Sequence, residues 1–191
     1  PLIISKNLKH LHNKLALQGN KQRDNACLAE KVINIIEPQL PPQLIIEGLQ
    51  SVKWHGRNQI ISKQPLVIFD VAHNESGIAS FINFYQTLAT GKKLLIISLQ
   101  KRKQINSQIH NMQNTFDEII ICETQNKRTM TVKELKKQFS NSDKIKTIKS
   151  DYKAIVHALN VAKNNDSIGI IGTHHLGDSV SKIFNISFNL V

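Results

Sequence analysis

Leu66-Val67-Ile68-Phe69-Asp70-Val71-Ala72-His73-Asn74 is the stretch that decides the fold. An apolar run stops abruptly at Asp70, and Ala-His-Asn then leads into a helix-forming segment. That pattern reads as a buried strand delivering an acid and an imidazole into the turn above it. In α/β proteins this is where ligand chemistry is placed.

Working outward from it, strands and helices alternate. Leu66 to Asp70 is a strand, and Ser76 to Thr90 is a helix carrying Ile78, Phe81, Ile82, Tyr85 and Leu88 on one stripe, closed by Gly91. Strands are expected at Leu94 to Ser98, Glu118 to Cys122, Lys146 to Ile148 and Ser167 to Ile171, with helices around Asn106 to Asn114, Val132 to Phe139 and Tyr152 to Lys163. Short β-rich runs joined by crossover helices imply a mainly parallel sheet covered on both faces. Upstream the organisation changes. Asp24 to Ile36 places Ala26, Ala29, Val32, Ile33 and Ile36 at helical spacing, and Pro38, Pro41 and Pro42 forbid continuation. A short Leu44 to Leu49 segment leads to Trp54-His55-Gly56-Arg57.

Composition bounds the function. The 191 residues, 40% of them hydrophobic, suffice for a core. No apolar run approaches the roughly 20 residues that cross a bilayer, and Pro1-Leu2-Ile3-Ile4-Ser5 lacks the charged start of a secretory signal. A cytoplasmic protein with no membrane partner is expected. The opening on Pro1 rather than Met fits a piece of a longer protein. Cys27 and Cys122 are too few for a disulfide framework or metal knuckle and read as small core residues. The net charge of +11 attracts phosphates of any kind. Aromatics are only 5% of the chain and lack periodic placement, so a solvated basic face is the better reading than a nucleic-acid surface.

Asp70, Ser98, Glu123 and Gly172 fall at the carboxyl ends of the expected strands. Asp70 and His73 are three residues apart across a strand-to-helix turn, so both face the crevice, while Asn74 or Ser76 is available as a helix cap. The carboxylate suits ribose hydroxyls and the imidazole suits a phosphate. The competing reading is that Asp70 and Asn74 only shape the turn and His73 is a surface residue. Arg57 tilts the balance, because its planar fork suits phosphate and Gly56 lets a backbone approach the ligand. Trp54 reads as core packing rather than a stacking platform. Gly169-Ile170-Ile171-Gly172 followed by His174-His175 reads as a tight strand-to-helix turn, not a phosphate loop or metal site. His10, His12, His110 and His157 lack ligand-type partners at metal spacing.

Trp-x-Gly-Arg followed by an apolar strand ending Asp-x-Ala-His-Asn resembles the start of the C-terminal domain of the folylpolyglutamate synthase and dihydrofolate synthase family, within the Mur ligase superfamily. Leu17-Gln18-Gly19-Asn20-Lys21-Gln22-Arg23-Asp24-Asn25-Ala26 resembles the segment closing that family's central ATPase domain, and Ile46-Glu47-Gly48-Leu49 its linker. Thr124 to Arg128 and Gly172-Thr173-His174-His175-Leu176 resemble two later turns. The resemblance implies a Rossmann-like C-terminal domain over 50–191, preceded over 1–49 by the helical tail of the central domain and the linker. It implies part of an ATP-dependent amide ligase that joins glutamate to folate or dihydropteroate through an acyl phosphate.

In that scheme ATP lies between the central and C-terminal domains. Asn25 and Gln22 contact the base, Arg57 the phosphates and Asp70 the ribose, and His73 lies near the phosphates. Phosphoryl transfer is mostly positioning and charge stabilisation, so a mobile domain carrying Arg completes the site on closing. The phosphate-cradling Gly-rich loop, the modified lysine and the Mg2+ ligands of the family belong to an N-terminal ATPase domain of the same protein. No Gly-x-x-x-x-Gly-Lys-Ser/Thr occurs here, and the fragment is expected to be inactive alone. Lys21 stands where the family has His, Glu75 where Pro is common, and Gln100-Lys101-Arg102-Lys103 replaces its Lys-Asp pair. The alternative is a non-catalytic basic α/β module for nucleic acid or anionic metabolites.

Overall fold

The computed structural model describes residues 15–139 and 143–188. The chain forms two compact units that meet between Trp54 and His55. His10 and His12 lie outside the described residues.

The first unit is helical. Helix α1 runs Asn20–Ile36 and α2 runs Pro42–Ser51. Gly19 enters α1 at φ 102°, so the helix begins four residues before the expected Asp24. Glu37 and Pro38 end it. The Leu44 to Leu49 segment is the body of α2, started by Pro42 at the first helical position, where the missing N–H costs nothing. Ala26 and Cys27 are buried, whereas Val32 and Ile36 of the expected stripe are exposed.

The second unit is a six-stranded sheet in the order β1-β2-β6-β3-β4-β5. Its strands are β1 Gln59–Lys63, β2 Leu66–Asp70, β3 Lys93–Ile97, β4 Glu118–Glu123, β5 Ile145–Ser150 and β6 Ser167–Ile171. Every neighbouring pair is parallel except β1 with β2. The helices are α3 Glu75–Gln86, α4 Asn106–Thr115, α5 Val132–Lys136, α6 Asp151–Val161 and α7 Gly177–Phe184. One core layer joins Ile68, Leu95, Ile97, Ile119 and Ile121 to α3, α4 and α5. The other joins Val67, Phe69, Ile96, Ile120 and Ile170 to α6 and α7. Successive side chains of each run thus alternate between two apolar layers, which is why these strands are apolar throughout.

One strand was not expected, and the helix implied after the Gly172 turn was given no bounds. Strand β1 is a short antiparallel edge with a register shift between Ile60 and Ser62. Helix α7 follows one turn of 3-10 helix at His174–Leu176. Helix α3 stops at Gln86, short of the expected Thr90. Thr90 is needed elsewhere: its N–H donates to Ser167 Oγ and its hydroxyl to the Asn165 carbonyl. Leu88 therefore leaves the stripe and is exposed. Cys27 and Cys122 are buried and free. Trp54 is 56% exposed, which overturns its reading as core packing. No helix among the described residues is long and apolar enough to cross a membrane.

Candidate functional site

The two core layers create crevices at the carboxyl edge. After β2 the chain turns to the α3 layer, whereas after the neighbouring β6 it turns to the α7 layer. After β4 it goes to the α5 layer and after β5 to the α6 layer. Loops that part in opposite directions leave a gap above the sheet, the usual ligand position in such folds.

Asp70 closes β2 at the first crevice and is 8% exposed. Its Oδ2 accepts the Asn58 N–H at 2.7 Å and its Oδ1 the Ala72 N–H at 2.7 Å. Burial raises its pKa, against the lowering effects of both amides, Arg57 and His73. Asp70 therefore does shape the turn, and it does more. Val71 N–H donates to the Gly56 carbonyl at 3.0 Å, so Gly56-Arg57-Asn58 is clamped to the end of β2 on both sides of Arg57. Gly56 sits at φ +70°, and a Cβ there would meet Val71 Cγ1 at 2.7 Å. Only glycine fits this clamp.

The Arg57 side chain is half-buried, and its guanidinium makes no hydrogen bond among the described residues. The backbone is fixed while the fork stays available. His73 Nδ1 donates to the Val71 carbonyl at 2.8 Å, which leaves Nε2 for a second partner. Asn74 caps α3 through Oδ1, which accepts the Gly77 N–H at 2.8 Å. The sequence offered Asn74 or Ser76 for this task, and Asn74 performs it. Arg57, Asp70 and His73 thus converge on one strand end.

Gln22 and Asn25 belong to the first unit, one turn apart on α1. They border a mostly apolar cavity of about 270 Å³, with Leu15, Leu17, Ala26 and Leu49 among its walls. Asn25 Nδ2 donates to Gln22 Oε1 at 3.2 Å. That leaves Gln22 Nε2 as a donor and Asn25 Oδ1 as an acceptor beside the apolar wall.

The crevice between β4 and β5 holds a polar cavity of about 530 Å³, bordered by Asn126, Asp151, Tyr152, His175, Asp178 and Lys182. Asp151 accepts the Ser179 hydroxyl at 2.9 Å and so joins α6 to α7. The His175 ring lies 3.9 Å from that of His174 between centres, tilted by 45°, and burial followed by His174 lowers its pKa. The sequence pattern did not single out Asp151 or Tyr152. Ser150-Asp151 preceding an amphipathic stretch is a capping signal that could have drawn attention to them. Gly172 makes the expected tight turn: it sits at φ +121°, where a Cβ would strike the Ser98 carbonyl oxygen at 1.9 Å. His110 pairs with Asn114, and His157 with Lys146 and Glu118. Among the described residues no three His, Cys, Asp or Glu side chains form a metal site.

Residues 56–174 match the family described as Mur ligase, glutamate ligase domain. A folylpolyglutamate synthase of Saccharomyces cerevisiae (strain YJM789) is 30% identical, across 59% of this chain and 25% of its own length. The chain therefore spans about a quarter of that relative. Among solved structures, Mycobacterium tuberculosis folylpolyglutamate synthase complexed with ADP and AMPPCP superposes with a TM-score of 0.77 at 20% identity, over 91% of this chain and 42% of its own. Escherichia coli FolC in complex with ADP gives 0.75 at 25% identity, over 84% and 39%. The Yersinia pestis bifunctional folylpolyglutamate synthase/dihydrofolate synthase with Mn, AMPPNP and L-glutamate gives 0.76 at 24%, over 85% and 39%. A mainly parallel sheet with the backbone around Arg57 clamped to the end of β2, a sequence match over most of the second unit and a shared fold lead to one conclusion: the chain belongs to the Mur ligase family, with the glutamate ligase domain over residues 56–174.

Proposed function

We propose that this chain is the C-terminal part of an ATP-dependent ligase that attaches glutamate to folate or dihydropteroate through an acyl phosphate, and that it contributes binding groups for ATP. The observation that carries the reading is the clamp at the end of β2, which immobilises the backbone of Arg57 and leaves its guanidinium without a hydrogen bond among the described residues. A preorganised cation of this kind stabilises charge on transferring phosphates without reorganisation cost. Asp70 keeps lone pairs beyond its two amide bonds for a ribose hydroxyl. His73, held through Nδ1 by the Val71 carbonyl, keeps Nε2 for a ligand group. In the first unit, the donor of Gln22 and the acceptor of Asn25 match the N1 acceptor and N6 amino group of adenine, and the apolar wall suits its ring.

Mg2+ would be held by residues outside this chain, in the N-terminal ATPase domain of the same protein. A cytoplasmic location fits these substrates. The test is ATP-dependent incorporation of glutamate into folate or dihydropteroate acceptors by the full-length protein. Arg57→Gln should raise the KM for ATP and lower kcat by about 10²-fold, the scale of losing one preorganised donor. Unchanged ATP kinetics would remove Arg57 from the site, and absence of glutamate transfer to any acceptor would sink the ligase reading.

A further inference from the structure

The carboxyl edge carries a second feature, away from the β2 clamp. The loop after β3 and the loop after β4 are zipped into a short two-stranded ribbon. Lys101 N–H donates to the Arg128 carbonyl at 2.8 Å, Met130 N–H to the Leu99 carbonyl at 2.8 Å, and Gln100 bridges Thr129 in antiparallel fashion. The ribbon gathers Lys101, Arg102, Lys103, Lys127 and Arg128, and its segments 98–104 and 124–131 contain no acid and no aromatic residue. Lys101, Arg102, Lys127 and Arg128 are exposed. Among the described residues none of the five lies within 4.0 Å of a carboxylate. Glu134, the acid that feels Lys101, is already bonded to the N–H and hydroxyl of Thr131. Like charges are therefore held together without neutralisation, and Arg102 is kept in the left-handed region at φ 68°.

We infer that this ribbon is a binding site for a chain of carboxylates, namely the glutamyl tail of an acceptor that already carries several glutamates. The inference rests on the ligase reading above for the identity of the tail. The chemistry narrows the class. A phosphate cradle needs free backbone N–H groups, yet those of Lys101, Lys103, Arg128, Thr129 and Met130 are all bonded. The available grip is a spread of flexible single charges, which suits carboxylates repeated along a chain. Single-stranded nucleic acid binding relies on aromatic stacking platforms, and the ribbon has none.

Distance fits as well. Asp70 pairs with Ile171, Ile171 with Ile97, and Ile97 with Ile121, so these residues form one row across the sheet. At about 4.8 Å per strand, the loop after β3 starts about 10 Å from Asp70 and the loop after β4 about 14 Å. A γ-linked glutamyl unit has two more chain bonds than an α-linked residue, so it advances about 6 Å when extended and about two of them span the gap.

The test uses fluorescein-labelled tetra-γ-glutamate and the 191-residue chain, read by fluorescence anisotropy at fixed ionic strength. Lys101→Gln/Arg102→Asn/Lys127→Gln should weaken binding about tenfold, each exposed ion contact contributing a factor of about two. Asparagine is chosen at 102 because it tolerates positive φ. Lys149→Gln/Lys153→Gln/Lys182→Gln, which removes equal charge around the β4–β5 crevice, should leave binding within about twofold, as expected for contacts away from the tail. Unchanged affinity in the ribbon variant, or equal loss in both variants, overturns the proposal. Tighter capture of a single-stranded oligonucleotide of equal charge, lost in the ribbon variant, also overturns it and reassigns the ribbon to nucleic acid. In the full-length protein the ribbon variant should raise the KM for a tetraglutamyl acceptor and leave that for a monoglutamyl acceptor unchanged. A protein inactive on every folate acceptor would refute the ligase reading while the anisotropy result on the ribbon stood.

Discussion

Two aspartates at opposite edges of the sheet make nearly the same hydrogen bonds and respond in opposite ways. Asp166, at the amino edge before β6, accepts the Lys92 N–H and the Lys163 N–H, each at 2.8 Å. Asp70, at the carboxyl edge, accepts two backbone N–H groups at 2.7 Å. Their own surfaces are about equally covered, 6% and 8% exposed. The amides of Lys163 and Lys92 nevertheless lower the pKa of Asp166, whereas burial raises that of Asp70 above the usual carboxylate range. The difference is depth. Asp166 is covered only shallowly, by the loops that carry Lys92 and Lys163, while Asp70 has the end of β2 and the Gly56–Asn58 clamp around it. One edge uses a carboxylate to fasten loops, and the other keeps a carboxylate where its charge is disfavoured. Such a group is a mark of a functional edge.

The sharpest way to break this comparison is to disturb the carboxyl edge itself. Gly172→Ala should cost about 3 kcal/mol or more in urea unfolding, because strain at positive φ adds to a backbone clash that cannot relax cheaply. Asp70→Ala comes next, at about 2–3 kcal/mol, since it orphans the Asn58 and Ala72 amides. In the full-length protein it should also abolish most nucleotide-dependent turnover. Gly56→Ala should cost about 1–2 kcal/mol and raise the KM for ATP through Arg57, its clamped neighbour.

The smallest effects are the pH dependences, and they carry opposite signs. With a folded pKa above the unfolded value, Asp70 contributes stability that is fully present below the unfolded pKa and is lost as pH rises through the raised one. The difference in unfolding free energy between wild type and Asp70→Asn should therefore shift in favour of wild type as pH falls toward about 4. Asp166, with a lowered folded pKa, contributes stability above its unfolded value that is lost as pH falls through the folded one. Asp166→Asn should flatten the acid limb below about pH 4. Parallel slopes in the two variants would show that the edges do not differ in depth.

The strands whose boundaries were read best are two of those buried on both faces. Leu66–Asp70 and Ser167–Ile171 have the boundaries expected from their uninterrupted apolar runs, one ending at an acid and the other at a glycine turn. Strand β1 was not legible because Gln-Ile-Ile-Ser-Lys pairs on one side only and shifts register midway. Helix α7 was implied by the turn at Gly172, but its eight-residue length and glycine start left its bounds unread. At the site, Asp70 stood out as the abrupt end of an apolar run. Its bond to Asn58, twelve residues upstream, did not, because no local pattern records which amide a carboxylate will reach. The β4–β5 crevice was illegible for a similar reason. It arises from α5 and α6 choosing opposite layers, a property of the assembled sheet.

The clamp around Arg57 also makes that position a reporter site. Both native thiols are buried, and burial pushes that of Cys122 far up, so neither competes for a maleimide. A single Arg57→Cys substitution would carry a fluorophore on a backbone pinned from both sides, and changes in its emission would register what arrives at the crevice rather than motion of the loop that holds it.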